Sequence, residues 1–174
     1  MKPLRVARIG NADLHLLDVV RWELAREYGV PCSVDATNID PSFAHHPERN
    51  QFHSTMLVER LAARADDAIV IGVAAIDLYI PILTFVFGEA QLGGRAAVVS
   101  HYRLHQTFYG LPRDDALLRE RLAKGAIHEI GHVAGLTHCD DYECVMASAH
   151  AVEWVDLKRK SLCDDCRAAI ADVY

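Results

Sequence analysis

A histidine-rich run between residues 128 and 138 contains side chains that could hold a metal ion. His128 and His132 lie four residues apart in a stretch predicted to be helical, so their imidazoles project from the same side, one turn apart. That spacing lets both reach one Zn²⁺ at the distance of about 2.0–2.1 Å that a nitrogen ligand requires. The pattern therefore predicts metal-assisted hydrolysis.

Glu129 directly follows the first histidine, where its carboxylate can approach a water on the metal without becoming a ligand. Zinc lowers the pKa of such a water to about 7, and a nearby carboxylate can then act as general base. We therefore predict that Glu129 is the catalytic residue. The alternative of a purely structural zinc is disfavoured, because a structural site does not need an unliganded carboxylate.

A catalytic zinc usually has three protein ligands and one open position, so a third ligand is required. His138 is the nearby candidate, but an unbroken helix would carry it two turns away. Gly135 can adopt the left-handed backbone that ends the helix and folds the chain back beneath the metal. A chance H-x-x-x-H in a histidine-rich chain is the alternative, and the glycine and third histidine together argue against it.

Strands and helices, which must position the histidine-rich run, alternate in the first part of the chain. Periodicity and capping residues predict strands over 4–9, 30–34, 68–74, 82–87 and 96–100, a loop over 38–49, and helices over 14–28, 51–65, 112–134, 156–160 and 164–173. This order predicts an α+β fold with a mixed twisted β-sheet, helices packed on one side and a long active-site helix. We divide the single compact domain into an N-terminal α/β subdomain (1–135) and a small irregular C-terminal subdomain (136–174).

Composition disfavours several classes of protein. The 174 residues have a net charge of −6, and no stretch collects enough Lys or Arg to form a phosphate-binding stripe, so nucleic acid is not an expected partner. Asp77 and Pro81 interrupt the most apolar stretch, which disfavours a membrane span. The N-terminus lacks the apolar core of a signal peptide, so we expect a cytoplasmic protein. In that reducing compartment the five cysteines would be thiols or metal ligands.

The full pattern H-E-x-x-H-x-x-G-x-x-H resembles the signature of the metzincin peptidases. Its continuation, with Cys139 after the third histidine, C-x-M at 144–146 and C-x-x-C at 163–166, resembles the archaemetzincins. The resemblance covers residues 68–166 well. It implies a metzincin-like fold, a zinc peptidase whose substrate binds in extended conformation, and an apolar floor beneath the metal at Met146. An ordinary core methionine is the alternative at that position.

The same resemblance implies a second, structural zinc. Its ligands would be Cys139, Cys144, Cys163 and Cys166. Two close cysteine pairs separated by a loop fit a tetrahedral site, and a metal would substitute for the small apolar core of the C-terminal subdomain. A redox C-x-x-C is the alternative, but its usual thioredoxin-like βαβ context is absent. We therefore expect two zinc ions per chain.

Weaker signals concern the surroundings of the metal. By the resemblance, the strand predicted over 82–87 would be the cleft edge on which an extended peptide pairs. Tyr142 and His150 flank the metal loop and could steady a tetrahedral intermediate, and the sequence does not choose between them. Cys32 is expected to be a small buried hydrophobe rather than a thiol that blocks the metal.

The sequence therefore predicts a zinc-dependent endopeptidase or aminopeptidase in which Glu129 assists attack by a zinc-bound water. The alternative is a zinc-binding regulatory or peptide-binding protein with vestigial or highly restricted hydrolysis, which the lack of a visible propeptide favours. A zinc hydrolase of another amide is a third possibility. No motif indicates the substrate sequence or the oligomeric state.

Overall fold

The computed structural model describes residues 1–171, so the last two positions of the helix predicted over 164–173 lie outside the described residues. The helices are α1 (Leu14–Tyr28), α2 (Ser54–Ala62), α3 (Asp115–Val133), α4 (Val152–Leu157) and α5 (Asp164–Ala171). The strands are β1 (Leu4–Ile9), β2 (Cys32–Ile39), β3 (His45–His46), β4 (Gln51–His53), β5 (Ile69–Ala74), β6 (Leu78–Tyr79), β7 (Gly88–Ala90) and β8 (Ala96–Ser100). None of the helices within residues 1–171 has the length and hydropathy that a membrane span requires.

The main sheet has the strand order β2-β1-β5-β8-β7. The first four strands run parallel to their neighbours, and β7 pairs antiparallel with β8 at one edge. A second, smaller sheet has the order β3-β4-β6. The predicted α+β class with a mixed sheet is therefore confirmed.

Helices cover both faces of the main sheet, which corrects the prediction that they pack on one side. Leu17 of α1 and Ile127 of α3 belong to a core cluster that includes Val6 and Ile71 on one face. Leu57 and Leu61 of α2 belong to a second cluster with Ile9 and Val70 on the opposite face. Side chains alternate along a strand, so a sheet that is apolar on both faces needs helices on both.

Capping side chains determine where the long helices begin. The Asp13 carboxylate accepts from the backbone N–H of His15 at 2.9 Å, and the Asp114 carboxylate accepts from that of Leu117 at 2.9 Å. Each bond satisfies one of the N–H groups that a first helical turn leaves without a partner. Helix α1 ends at Gly29, whose φ of 67° is left-handed. The predicted bounds of α1 are confirmed, and those of α3 differ only at its ends.

The strand predicted over 82–87 is wrong, because this segment forms a turn and a short bridge before the edge strand β7. Side chains take the carbonyl groups that a strand partner would use. The Arg49 guanidinium donates to the carbonyls of Leu83 (3.0 Å) and Thr84 (3.1 Å), and the Gln51 amide donates to Thr84 (2.9 Å). Arg49 and Gln51 therefore hold this segment as a turn beside β7, and the clamped segment is not part of the main sheet.

Other boundaries also differ from the prediction. The helix predicted over 51–65 begins three residues later, because 51–53 form β4 and pair with β6. The strand predicted over 30–34 begins at Cys32 and extends to Ile39, where it pairs with β1. The helix predicted over 156–160 lies earlier, as α4.

Substitution of two leucines on α1 tests which face of this helix packs in the core. Leu17 is fully buried, whereas Leu14 is 59% exposed. Leu17→Ala should lower the free energy of unfolding by about 2–5 kcal/mol because it leaves a cavity in the core, whereas Leu14→Ala should change it by less than about 0.5 kcal/mol. Urea denaturation of the zinc-loaded protein measures both. Equal effects would contradict the packing of α1.

Candidate metal centres

Helix α3 carries two imidazoles that backbone carbonyls hold in place. Nδ1 of His128 donates to the carbonyl of Val145 at 2.8 Å, and Nδ1 of His132 donates to that of Leu136 at 2.7 Å. A carbonyl only accepts, so each neutral ring carries its proton on Nδ1 and a lone pair on Nε2. The two Nε2 atoms face each other at 3.1 Å. Their lone pairs repel unless a cation lies between them, and a tetrahedral zinc would hold them about 3.3 Å apart.

The turn after α3 brings a third imidazole to the same place. Gly135 has a φ of 96°, and two backbone hydrogen bonds of the Schellman type close the helix there. The His138 ring centroid then lies 5.3 Å from that of His128 and 5.0 Å from that of His132. One nitrogen from each of the three rings lies within 4.8 Å of the others. The structure thus brings together the three histidines selected from the sequence.

Burial favours the neutral form of all three imidazoles, which is the form that a metal requires. Burial lowers the pKa of His128 well below its usual value, and it also lowers the pKa of His132 and His138. The Lys158 ammonium contributes to the lowering at His128. Neutral imidazoles offer a lone pair to a metal without first losing a proton.

Glu129 lies beside this cluster, with only 7% of its surface exposed. Gly88 of β7 leaves room for the carboxylate, because a Cβ at Gly88 would lie 2.6 Å from Oε1 of Glu129. Burial, followed by the charge of Glu89, raises the pKa of Glu129 to about 8. A divalent cation beside the carboxylate would oppose that rise, since it favours the charged form.

Met146 is fully buried directly beneath α3. A Cβ at Gly131 would lie 2.3 Å from its sulfur, so the glycine allows the thioether to contact the helix backbone between the two histidines. Behind the helix, the Tyr28 hydroxyl donates to the carbonyl of Ile127 at 2.6 Å. Apolar and hydrogen-bonded contacts therefore fix this turn of α3 on two sides.

Four cysteines form a second cluster beyond the methionine. The sulfurs of Cys139 and Cys163 are 3.8 Å apart, those of Cys144 and Cys166 are 3.9 Å apart, and all four lie within 4.8 Å of one another. A disulfide would need about 2.05 Å, whereas a tetrahedral zinc with bonds of about 2.3 Å separates its sulfurs by about 3.8 Å. The backbone N–H groups of Met146 and Cys163 point at the Cys144 sulfur at 3.4 Å. The residues present fit a bound zinc.

A cleft of about 650 Å³ opens over the histidine cluster. Its walls include the clamped segment 83–87, β7 and the segment that follows Met146. His150 lines this cleft, whereas Tyr142 is 71% exposed and is not among the lining residues. Cys32 lies on β2 at the opposite edge of the sheet from β7, and burial raises its pKa to about 11. Neither Tyr142 nor Cys32 therefore lines the cleft over the histidine cluster.

Two buried lysines in this cleft were missed by the sequence reasoning. Lys124 is 3% exposed and Lys158 is 7% exposed, and both line the cleft beside His128. Burial lowers the pKa of Lys158 to about 8, which leaves most of it charged at pH 7. Lys158 belongs to a Lys-Arg-Lys run at 158–160, which in sequence looks like a solvated surface. Only long-range contacts, which the sequence does not reveal, distinguish the buried Lys158 from the other two basic residues of this run.

Comparisons with known proteins agree with this geometry. The model of peptidase family M54 matches residues 49–172. The archaemetzincin of Methanocaldococcus jannaschii is 38% identical over 164 residues, which cover 94% of this chain and 90% of that protein.

Solved structures share the fold. A zinc-dependent peptidase from Methanocorpusculum labreanum superimposes with a TM-score of 0.88 at 29% identity, covering 96% of this chain and 99% of that chain. The archaemetzincin of Archaeoglobus fulgidus, complexed with malonate, gives a TM-score of 0.85 at 33% identity with the same coverage. This chain therefore belongs to peptidase family M54, the archaemetzincin family of zinc-dependent metallopeptidases.

Proposed function

We propose that His128, His132 and His138 hold the catalytic zinc and that Glu129 is the general base for hydrolysis of a peptide bond. The observation that carries the proposal is the approach of the His128 and His132 Nε2 atoms to 3.1 Å while both Nδ1 protons are bound by carbonyls. In that arrangement the lone pairs of the two Nε2 atoms face each other, and a bound cation would relieve their repulsion.

The residues divide the chemistry between them. Bound zinc supplies Lewis acidity, which polarises the substrate carbonyl and acidifies a water to a pKa of about 7. The Glu129 carboxylate accepts the proton of the attacking water and passes it to the amine nitrogen of the leaving group. Its position against Gly88 places it between the metal-binding face of α3 and the edge strand. The low exposure of the carboxylate keeps bulk water from competing for that proton.

The substrate would lie extended along β7. This strand pairs with β8 on one side and lines the cleft, and a peptide can add to such an edge through backbone hydrogen bonds. The segment 82–87, predicted to be this edge, instead supplies apolar side chains to the wall of the cleft, including Phe85 and Phe87. An extended peptide on β7 would bring one of its carbonyls over the histidine cluster.

A second zinc would be structural, held by Cys139, Cys144, Cys163 and Cys166. Sulfur separations of 3.8 and 3.9 Å support a tetrahedral ion. Four thiols this close cannot all ionise without a cation, because like charges disfavour one another. The residues after Gly135 would then form a subdomain (136–174) that a metal stabilises, attached to the N-terminal subdomain (1–135).

Replacement of the proposed base should abolish catalysis. We expect Glu129→Ala to keep its zinc and its fold but to lose at least about 100-fold in kcat/KM, because proton transfer by a positioned side chain contributes that much or more. Cleavage of a fluorogenic peptide library by fully metallated protein measures the loss. Glu153→Ala, which removes an exposed glutamate from α4, is the matched control.

Two results of this experiment decide further points. Survival of chelator-sensitive hydrolysis in Glu129→Ala would show that another group is the base. Comparison of free with acetylated N-termini distinguishes aminopeptidase from endopeptidase action.

Metal content should report the two sites separately. We expect about two zinc ions per wild-type chain and about one in both His132→Ala and Cys163→Ser, since each substitution removes a ligand from one site only. Cys32→Ser is the control and should retain both ions. Elemental analysis after gel filtration gives the stoichiometry. A value near one for the wild type would contradict the two-zinc proposal.

The turn at Gly135 should be needed for metal binding as well as for stability. Gly135→Ala places a side chain at φ 96° and should lower stability by about 1–2 kcal/mol while weakening zinc binding at the histidines. Gly110→Ala is the matched control, because Gly110 also has a positive φ (75°) and open space around it, away from the cleft. Competition with a chromophoric chelator measures affinity. Equal zinc affinity in both variants would argue against a role for the Gly135 turn.

A further inference from the structure

Lys158 is a buried cation whose ammonium makes two hydrogen bonds within residues 1–171. Its ammonium donates to the carbonyl of Val145 at 3.3 Å and to that of Ala147. An ammonium has three N–H donors, so one remains after these two bonds. The side chain lines the cleft, and 93% of the residue's surface is inaccessible. The remaining donor therefore belongs to the cleft rather than to the surface.

Within residues 1–171 the Lys158 ammonium forms no direct ion pair, although the charge of Glu129 in the same cleft attracts it. Lys124 pairs with Glu120 at 2.8 Å, and Lys160 pairs with Glu23. By contrast, no carboxylate oxygen lies within 4.0 Å of the Lys158 ammonium in residues 1–171. A buried charge without a carboxylate in direct contact is costly, and a substrate carboxylate that enters the cleft and contacts the ammonium would relieve that cost.

Lys158 lies close to a histidine that would bind the metal. The carbonyl oxygen of Val145 accepts from both Lys158 Nζ and His128 Nδ1, so the ammonium is adjacent to the first metal-binding imidazole. A substrate group that contacts the ammonium through the cleft would therefore lie near the bond that is cleaved.

We propose that Lys158 is a specificity-determining residue that binds a carboxylate of the substrate next to the scissile bond. The inference rests on the proposed function, since it assumes that a peptide occupies this cleft. The carboxylate can come from an Asp or Glu side chain or from a free C-terminus, because both present the same acceptor oxygens. Peptides with acidic residues beside the cleaved bond, or short peptides that end there, would be the preferred substrates.

The test compares binding of matched peptides to the zinc-loaded Glu129→Ala protein, so that cleavage does not interfere. One arm places Glu or Gln at each position of an otherwise neutral, amidated, extended peptide. The other arm compares free and amidated C-termini of the Gln peptides. We expect one Glu position, or the free C-terminus, to bind on the order of tenfold more tightly, as a charge-assisted hydrogen bond allows. Equal affinity in every pair overturns the proposal and needs no lysine variant.

A lysine substitution in the same background separates specificity from a structural role. Lys158→Gln should reduce the preference to less than about twofold, because the neutral amide keeps a donor but loses the charge. Lys160→Gln removes the same charge two residues away, outside the cleft, and should leave the preference intact. If the preference for the carboxylate survives Lys158→Gln, a group other than Lys158 causes that preference. A loss of affinity that is equal for Glu and Gln peptides would show that Lys158 only supports the turn.

The inference and the proposed function can fail independently. Wild-type protein that binds Glu peptides preferentially but cleaves none of them would contradict the assigned chemistry and support the carboxylate site. Cleavage with equal kcat/KM for Glu and Gln peptides would support the chemistry and overturn the carboxylate site.

Discussion

Two backbone carbonyl oxygens determine where a metal can bind in this chain. The carbonyls of Val145 and Leu136 each accept from the Nδ1 of one histidine on α3, which fixes the tautomer and turns both Nε2 atoms toward one point. Neither carbonyl belongs to the helix that carries the histidines. The geometry of the centre is therefore set by the chain that follows α3, and the rest of the fold must hold that chain in register with the helix.

A different structural feature holds each of these two carbonyls in position. Leu136 is presented by the left-handed turn at Gly135, which a residue with a Cβ adopts only with strain. Val145 stands between Cys144, whose sulfur belongs to the cysteine cluster, and Met146, which packs under α3. Three consecutive residues thus contribute a sulfur to the cysteine cluster, a carbonyl that accepts from His128 and a thioether that packs beneath α3. Loosening of the cysteine cluster would move the carbonyl that orients His128, which couples the two centres mechanically.

Local patterns predicted those parts of the structure that depend on short-range geometry. The i,i+4 spacing of His128 and His132 and the glycine after the helix are local, and the cysteine set followed from the family resemblance. Long-range contacts explain the failures. The leucines of α2 show that it is amphipathic but not which face of the sheet it covers. The β-branched and aromatic residues of 82–87 favour a strand, yet the Arg49 and Gln51 side chains bind its carbonyls and hold a turn instead.

With a zinc bound at the histidines, the charge at the cleft would be opposite in sign to the net charge of the whole chain. The net charge of −6 would repel an acidic peptide, but exposed charges are screened beyond about 8 Å at physiological ionic strength. Inside the cleft, a zinc bound by the histidines and the ammonium groups of Lys124 and Lys158 would outweigh the carboxylates of Glu89 and Glu129, and burial weakens the screening between them. The attraction for a carboxylate would then be felt only at contact, after an extended peptide has paired with β7. Such an arrangement affects the stability of the bound complex more than the rate of encounter, because long-range steering would require the same sign of potential outside the cleft.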